Sequence, residues 1–307
     1  MKGAASKCGI DKERKMSDMI VRATAADDTV RAFAIDSREL VECARTSHDT
    51  SPVVTAALGR LLSGAAMMGV MMKDERDLIT VQIIGDGPIG RLTVTADNAG
   101  NVKGFPQENM VEVPLKYEGK LNVGAAVGNG ILRVMRDIGA PEPFVGTVDL
   151  VSGEIAEDLT YYFAQSEQTP SVVGLGVLIE KDLSVAYSGG FIVQLMPDAT
   201  DETITVLEEN IKGLKSVTEM LSAGLSPEQI LEEVLNGLNP RVLETKPACF
   251  KCDCSRERIE ESLISLPASD LTDMINDGKP VEVRCQFCNR KYEFSVDDIT
   301  KLRDSKS

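Results

Sequence analysis

Short apolar runs bounded by turn residues recur along the first two thirds of the chain and predict many strands. Runs of about four to eight residues, rich in β-branched positions and separated by glycine, proline, asparagine or aspartate, are typical of strands. Such runs occur at 20–25, 29–35, 78–84, 91–96, 101–105, 130–135, 145–151, 172–180 and 184–195. The three runs between 78 and 105 follow one another closely, so they predict a β-meander.

Fewer stretches have the spacing of a helix. Residues 37–45 and 155–165 have helical patterns, and Ser51 followed by Pro52 marks the start of a longer helix. The run 61–72 is the most apolar stretch, but a bilayer span needs about 20 residues, so we interpret it as part of a buried helix. Because strands come in series and helices do not alternate strictly with them, the pattern predicts an α+β fold.

Beyond residue 196 the pattern changes to helical spacing with a strong acidic excess. Residues 197–246 contain 10 acidic and 4 basic residues, and a second helix begins at Ser226 with a capping-box sequence. One apolar stripe runs through the first helix, at Ile204, Leu207, Ile211, Leu214, Val217 and Leu221. Such a stripe must pack on another surface, most simply on the N-terminal domain. The segment is then either a passive linker or one whose packing depends on the C-terminal module.

Four cysteines in two tight pairs predict a metal site near the C-terminus. These residues are Cys252, Cys254, Cys285 and Cys288. Either pair alone is also compatible with a redox dithiol or with core packing, but two pairs together have the spacing of a tetrahedral thiolate site. The ion that such a site most naturally holds is Zn²⁺.

The residues around the second pair predict a zinc-knuckle hairpin. Residues 281–284 and 291–294 are predicted strands, and Ser295 begins a closing helix. A module this small has few large apolar residues, so bound metal should supply most of its stability. The predicted organisation is an extension at 1–19, an α+β core domain at 20–196, a helical linker at 197–247 and a zinc-binding module at 248–307.

Charge and composition argue against several classes of protein. The formal net charge is −15, with 23 basic against 36 acidic residues before Cys249 and 10 against 12 from there on. Neither part is basic and there is no tryptophan, so nucleic-acid binding is not expected. The number of cysteines is odd, at seven, and no apolar signal segment precedes them, so we expect a reducing compartment. We also expect no membrane partner.

Motifs that suggest catalysis have simpler interpretations. The run from Gly85 to Gly90 matches a dinucleotide-binding fingerprint, but a strand pattern follows it instead of a helix, so we interpret it as a hairpin turn. His48 is the only histidine, so Cys8 and Cys43 lack the base that a cysteine nucleophile needs. We therefore predict that the protein is not an enzyme.

Several sequence runs together resemble the redox-regulated 33 kDa heat-shock protein family, from about residue 20 to the end. They are Cys252-Asp253-Cys254-Ser255-Arg256-Glu257-Arg258, Cys285-Gln286-Phe287-Cys288-Asn289 with Lys291-Tyr292, Gly153-Glu154-Ile155-Ala156-Glu157-Asp158, Tyr161-Tyr162-Phe163 and Ser166-Glu167-Gln168. The resemblance implies a cytoplasmic, ATP-independent holdase chaperone for unfolding proteins, and a homodimer when active. It also implies that the four cysteines bind zinc when reduced. On oxidation it implies two disulfides, Cys252 with Cys254 and Cys285 with Cys288.

The chemistry of these residues is consistent with a redox switch. Metal-bound thiolates are the oxidisable form of cysteine, and a neighbouring thiol can convert a sulfenic acid into a disulfide. Disulfides that close such small loops recover little of the stability that metal supplies. We therefore expect the module to unfold on oxidation and the linker stripe to leave its packing surface.

Two features depart from the family pattern, and two other functions stay open. Cys249 is an extra thiol three residues before Cys252, and we expect it to be a bystander. The N-terminal extension leaves organellar targeting open.

Two alternative functions are a zinc-ribbon nucleic-acid protein and a dithiol oxidoreductase. The acidic balance disfavours the first, and the lack of a thioredoxin-like βαβ context disfavours the second.

Overall fold

The computed structural model describes residues 18–305, which fall into two compact units. The large unit comprises the described residues up to Lys251, and the small unit begins at Cys252. Each unit has its own apolar core. The architecture is α+β, as the sequence predicts.

The large unit begins with nine strands and four helices. The strands are β1 (Met19–Ala25), β2 (Val30–Asp36), β3 (Leu78–Gly85), β4 (Arg91–Asp97), β5 (Asn101–Pro106), β6 (Gly130–Asp137), β7 (Phe144–Asp149), β8 (Ser171–Ile179) and β9 (Val185–Leu195). The helices are α1 (Arg38–His48), α2 (Pro52–Val70), α3 (Val123–Val127) and α4 (Ala156–Gln165). Every predicted strand in this region is present, with its ends displaced by at most two residues. The predicted β-meander is confirmed as β3, β4 and β5. Helix α3 is an addition that the sequence pattern did not predict.

The rest of the large unit contains three helices and two strands. They are α5 (Asp201–Gly213), α6 (Val217–Ser222), α7 (Pro227–Val234), β10 (Arg241–Pro247) and β11 (Cys249–Phe250). The prediction of one helix continuing through Leu221 is wrong. Leu214 has an extended backbone, and Ser216 starts a new helix because its hydroxyl accepts a hydrogen bond from the Glu219 N–H.

Two sheets form the framework of the large unit. The first sheet has the order β10-β1-β2-β9-β8, and the second has the order β11-β5-β4-β3-β6-β7. All neighbouring strands are antiparallel except β11, which runs parallel to β5. Strand β10 lies in the stretch for which the sequence predicted only helix, because its pairing with β1 is a tertiary contact that no local pattern reports.

Helix α2 contacts both sheets and is buried along nearly its whole length. A Cβ atom at Gly59 would lie 2.7 Å from Val41 Cγ1, and one at Gly64 would lie 2.7 Å from Leu159 Cδ1, so the missing side chains allow α2 to pack closely here. Among residues 18–305, α2 is the one helix that is long and apolar enough for a membrane span, but 94% of it is buried inside the fold. We therefore interpret α2 as the core helix of the large unit.

The opposite face of the first sheet is covered by α5, α6 and α7. Apolar residues of these helices, including Leu207, Leu221, Ile230 and Leu231, pack against small and branched side chains of β1, β2 and β9. Of the stripe predicted from the sequence, Leu207, Val217 and Leu221 are buried in this cluster and Ile211 and Leu214 are partly buried against it, whereas Ile204 is half-buried and not part of it. Leu235 and Leu238 extend the same cluster toward β10.

The small unit is a two-stranded sheet with three helices. Its elements are α8 (Arg256–Ser265), α9 (Ala268–Asn276), β12 (Val281–Arg284), β13 (Lys291–Phe294) and α10 (Val296–Asp304). Strands β12 and β13 and the capped start of α10 at Ser295 are confirmed, whereas α8 and α9 were not predicted. Its buried core consists of Leu263, Leu271, Phe294 and Ile299.

Candidate metal centre

The four predicted cysteine ligands lie together in the small unit. Cys252 and Cys254 precede α8, and Cys285 and Cys288 lie in the turn between β12 and β13. All four Sγ atoms lie within 4.8 Å of one another. The distance from Cys252 Sγ to Cys285 Sγ is 3.7 Å, and that from Cys254 Sγ to Cys288 Sγ is 3.4 Å. Each short distance therefore joins one cysteine of the first pair to one of the second.

The backbone of the hairpin turn fixes the second pair. The Cys285 N–H donates to the Arg290 carbonyl at 3.0 Å, and the Asn289 N–H donates to the Cys285 carbonyl at 2.8 Å. Asn289 has a φ of 56°, a left-handed conformation that asparagine tolerates better than most residues. The turn thus presents both thiols on one side, as expected for a zinc knuckle.

The local environment favours a thiolate within the cluster. The pKa of Cys285 is lowered to about 4, first because the Cys252 thiol donates a hydrogen bond to it, and also because the N–H groups of Cys288 and Phe287 point at it. The same hydrogen bond raises the pKa of Cys252, which acts as the donor. Burial raises the pKa of Cys288 to about 11. Negative charge therefore forms first on Cys285, where it favours a bound cation.

The donor set fits a tetrahedral metal ion. With a Zn–S bond of about 2.3 Å, ideal tetrahedral geometry separates the sulfur atoms by about 3.8 Å. The observed separations of 3.7 Å and 3.4 Å, with a maximum of 4.8 Å, are close to that value. Cys252, Cys254, Cys285 and Cys288 are thus positioned to hold a metal ion, and four sulfur ligands are typical of zinc or iron–sulfur sites.

Tyr292 on β13 is a neighbour of the cluster that the sequence analysis did not assign a role. Its hydroxyl lies 3.1 Å from Cys254 Sγ and 3.1 Å from the Cys254 carbonyl oxygen. A hydroxyl that donates to a ligand sulfur orients the ligand and stabilises its negative charge. The signal in the sequence that could have identified Tyr292 is an aromatic residue at an inward-facing position of the strand that follows the second cysteine pair.

Arg256 connects the segment after the first pair to the hairpin and to α10. It donates to the Glu293 carbonyl at 2.8 Å and to Asp298 at 3.0 Å, and its guanidinium lies 4.3 Å from the Phe294 ring centroid. Arg258 forms an ion pair with Asp253, between the first two cysteines. The contacts of Arg256 join the segment after the first pair to the hairpin and to α10, and their long range in sequence explains why they were not predicted.

Cys249 lies outside the group of four. It is part of β11 in the large unit, and its Sγ donates to Asn101 Oδ1 at 3.2 Å. Burial raises the pKa of this thiol, so at neutral pH it remains protonated. A protonated, hydrogen-bonded thiol is a poor ligand and a poor nucleophile.

The other residues considered in the sequence occupy structural positions. Residues Gly85 to Gly90 connect β3 and β4 as a hairpin, with the Gly85 N–H donating to the Gly90 carbonyl, and no helix follows. His48 is buried at the end of α1, and Cys43 is half-buried on the same helix. Cys8 lies outside the described residues.

The acidic residues near the start of α4 also have structural partners. Glu154 pairs with Arg60 and Lys116, which lowers its pKa although burial opposes this. The fully buried Asp158 accepts hydrogen bonds from four backbone N–H groups, those of Val151, Ser152, Gly153 and Ile155. These carboxylates are thus engaged in holding the turn before α4, and they do not form an acid–base pair.

Comparison with known proteins gives consistent matches over nearly the whole chain. The family model described as Hsp33 protein matches residues 18–295. A 33 kDa chaperonin of Agathobacter rectalis is 56% identical over 288 residues, covering 94% of this chain and 100% of that protein. A 33 kDa chaperonin of Clostridioides difficile is 51% identical, covering 94% of this chain and 99% of that protein.

A solved structure agrees with the fold. The crystal structure of a 33 kDa chaperonin from Thermotoga maritima, described as a heat shock protein 33 homolog, superposes with a TM-score of 0.89 at 40% identity. The match covers 94% of this chain and 98% of that one. Fold, cysteine cluster and relatives together define a chaperone, a class of protein that is not enzymatic. The chain belongs to the Hsp33 family.

Proposed function

We propose that this chain is a redox-regulated, ATP-independent holdase that binds unfolding proteins. The redox part of this proposal rests on one observation. Four Sγ atoms from two segments more than thirty residues apart lie within 4.8 Å of one another. In this proposal the reduced, metal-bound protein is inactive, and oxidation of the four thiols activates it. The family resemblance supports both statements.

The metal in this proposal is Zn²⁺, held by Cys252, Cys254, Cys285 and Cys288. Bound zinc keeps the four sulfurs as thiolates and joins the segment before α8 to the β12–β13 hairpin. Only four apolar side chains of the described small unit are buried in its core. A structural zinc site contributes about 10–16 kcal/mol in comparable modules. Metal binding therefore provides most of the stability of the small unit.

Oxidation forms two disulfides, which we assign to Cys252 with Cys254 and to Cys285 with Cys288. With hydrogen peroxide as oxidant, formation of each disulfide removes two electrons from two thiolates, the peroxide takes up these electrons and two protons from solvent to give two molecules of water, and Zn²⁺ is released once its ligands are lost. The shortest Sγ distances instead join Cys252 to Cys285 and Cys254 to Cys288. Because all four Sγ atoms lie within 4.8 Å of one another, the cluster does not dictate the cross-pairing, and once the metal leaves, the short connecting segments favour the near partner.

Loss of the metal then affects the segment that precedes the small unit. The stripe on α5, α6 and α7 covers an apolar face of the first sheet, and its helices are short and acidic. Short helices depend on packing for their stability. When this segment unfolds, its apolar side chains and the sheet face become available to apolar segments of a client.

The test combines metal release with client protection. Hydrogen peroxide and mild heat should release zinc, remove four titratable thiols and suppress aggregation of a thermally unfolding client without ATP. Cys285→Ser should lower zinc content, whereas the control Cys249→Ser should retain it, because Cys249 is outside the cluster. Oxidised, metal-free protein that gives no protection would refute the holdase proposal.

The proposed partners are unfolded or partly unfolded proteins, with a homodimer as the active form. The chain carries a formal net charge of −15, which disfavours nucleic acid as a partner. We place the protein in the cytoplasm, where thiols remain reduced until stress. The relatives named above are bacterial, so they give no support to organellar targeting. Light scattering after size exclusion, before and after oxidation, measures the oligomeric state.

A further inference from the structure

A cavity of about 560 Å³ lies between the first sheet and the turn that joins α6 to α7. Its lining comes from the start of β1, the end of β2, the start of α1, the β8–β9 hairpin and the α6–α7 turn. Cavities of this size are in the range that binds small molecules. Because the proposed activation removes α6 and α7 from the first sheet, an occupant of this cavity contacts both sides of the packing that activation must break.

The strand register places the floor of the cavity on the sheet face that α5, α6 and α7 cover. Met19 on β1 is paired with Asp36 on β2, and residues directly opposite each other in an antiparallel pair point to the same face. Met19 lies two residues before Val21, a member of the cluster under the helices, so both side chains are on that face. Tyr187 on β9 packs against the same cluster. The floor therefore combines a carboxylate with an aromatic ring and a thioether.

The α6–α7 turn, which forms the opposite wall, is fixed by its own hydrogen bonds. The Gly224 N–H donates to the Leu221 carbonyl at 3.0 Å, and the Leu225 N–H donates to the Met220 carbonyl at 3.2 Å. This is the pattern of a Schellman motif, and it requires the left-handed φ of 85° that Gly224 adopts without steric strain. Ser226 then starts α7 with a capping box. The wall that carries Leu225 is thus preformed while α6 and α7 are folded.

The charged residues of the lining are mostly acidic. Three are carboxylates, Asp36, Glu180 and Glu228, and one is basic, Arg38. The Arg38 Nε already donates to the Val185 carbonyl at 3.1 Å. Burial raises the pKa of Asp36, although the Arg38 N–H and the Arg38 charge oppose this. In the described part of the chain no ion pair involves Glu180 or Glu228. The cavity therefore has an excess of negative charge that protein groups balance only in part.

A primary ammonium group matches this lining. It has three N–H donors and a full positive charge, and the lining offers three carboxylates as acceptors. Ammonium groups are also attracted to the faces of aromatic rings, and Tyr187 supplies such a ring. The remaining walls include the apolar side chains of Met19, Leu221 and Leu225, which suit a hydrocarbon body. An anion would instead meet an excess of carboxylates.

We propose that this cavity binds a small organic cation, a primary ammonium group on an apolar body, and that the bound cation holds α6 and α7 on the first sheet. The second half of this inference rests on the holdase function proposed above. A ligand that contacts both the sheet and the α6–α7 turn binds only the docked arrangement and stabilises it. At about ten times its dissociation constant it shifts the docking equilibrium about tenfold. All lining residues belong to the large unit, so the ligand opposes activation through the helices and not through the metal.

The first test measures binding of phenethylamine to the reduced, zinc-bound full-length protein by calorimetry. The amine should bind saturably. Phenethyl alcohol and hydrocinnamate, which have similar apolar bodies but no positive charge, should bind at least about tenfold more weakly. Absence of saturable amine binding would overturn the inference, and so would equal binding of the amine and the alcohol.

The second test assigns the binding to this cavity. Glu180→Gln with Glu228→Gln removes two carboxylates of the lining and should weaken amine binding by about tenfold, with zinc content unchanged. The matched control is Glu232→Gln with Glu233→Gln, at two exposed positions of α7 outside the lining, and it should leave binding unchanged. Equal amine binding by the two double variants would overturn the inference.

The third test uses the unaltered protein and therefore does not depend on the folding of a variant. At about ten times its dissociation constant, phenethylamine should slow hydrogen exchange in α6 and α7 and lower client binding by the peroxide-treated protein, each about tenfold. Saturable binding that leaves exchange in α6 and α7 unchanged would overturn the proposed effect on docking. Protection of these helices that falls on dilution of the ligand-free protein would also overturn the inference, in favour of a second copy of this chain as the occupant.

The failure of this inference and that of the holdase proposal have different signatures. Absence of client protection by the oxidised protein without amine would refute the holdase function and leave the binding result standing. Full client protection together with no amine binding would overturn the inference and leave the holdase function intact.

Discussion

The large unit buries a nineteen-residue helix against two sheets, whereas the small unit buries four apolar side chains and gathers four sulfur atoms. In the large unit, α2 supplies a continuous apolar core that needs no ligand. In the small unit, the side chains of Leu263, Leu271, Phe294 and Ile299 form the whole buried core. From this comparison we expect that the large unit is stable without a ligand and that the small unit depends on metal, which is the asymmetry that the proposed switch needs.

Removal of metal should have the largest effect, in the small unit and in the α5–α7 segment before it, and not in the core around α2. With a chelator and reductant present, the loss of about 10–16 kcal/mol of metal-binding energy should unfold residues 252–305. Hydrogen exchange at Leu271 and Ile299 should become fast, while amides of α2 remain protected. Retained protection at Leu271 without metal would contradict the proposed dependence of the small unit on metal.

A cavity in the core of the large unit should destabilise that unit and leave the metal site unchanged. Leu61 is fully buried on α2, so Leu61→Ala should lower the free energy of unfolding by about 2–5 kcal/mol. Thermal unfolding of the large unit measures this loss, and zinc affinity should stay unchanged. Leu183→Ala, at a 49% exposed position, is the control and should have little effect. A matching fall in zinc affinity would show that the α2 core and the metal site are coupled.

The buried Asp18 should make the large unit less stable as the pH rises. Its carboxylate accepts hydrogen bonds from the N–H groups of Glu39 and Leu40, yet burial dominates and raises its pKa to about 7. Because the folded pKa lies above the unfolded one, stability is fully present below about pH 4 and is lost as the pH rises to about 7. The slope should approach about 1.4 kcal/mol per pH unit.

The control for this pH dependence is Asp18→Asn. Asparagine keeps an oxygen acceptor for the helix N–H groups but does not titrate in this range. The variant should therefore remove most of the slope between pH 4 and 7 in chemical unfolding measurements of the large unit. An unchanged slope would assign the pH dependence to other groups, such as Asp36, whose pKa burial also raises.

Loss of the tyrosine hydroxyl near the cluster should have the smallest effect. Tyr292→Phe removes the donor to Cys254 Sγ and should weaken metal affinity by about tenfold, with faster zinc release under peroxide. Competition with a chromogenic chelator measures the affinity. Phe287→Leu, in the turn between the second pair, is a comparison that removes no hydroxyl. Equal affinity of Tyr292→Phe and the unaltered chain would contradict the role assigned to this hydrogen bond.

Much of the fold could be predicted because its signals are local. The strands from β1 to β9, the start of α2 at Pro52 and the capped start of α10 at Ser295 each depend on residues within a few positions. The break between α5 and α6 was missed because the apolar spacing continues through Leu214, although Ser216 and Glu219 have the spacing of a capping box, which marks a new helix start. Strand β10 was missed because its partner β1 is more than two hundred residues away.

The candidate site was predictable in its ligands but not in its supporting contacts. Two pairs of cysteines at close spacing predict a common ion, and the structure brings their sulfur atoms together. The contact of Tyr292 with Cys254 and the contacts of Arg256 with Glu293 and Asp298 join positions about forty residues apart. No local pattern encodes such contacts.

The sequence by itself predicted the strands from β1 to β9, the starts of α2 and α10 and the four thiols that share a site, because periodicity, capping and ligand spacing act over short distances. Tertiary structure alone decided that α2 is the core of the large unit, that the acidic helices cover one sheet face and that a cavity remains between that face and the α6–α7 turn. Burial and cavities depend on what every other element covers, and they appear only when the whole chain is packed.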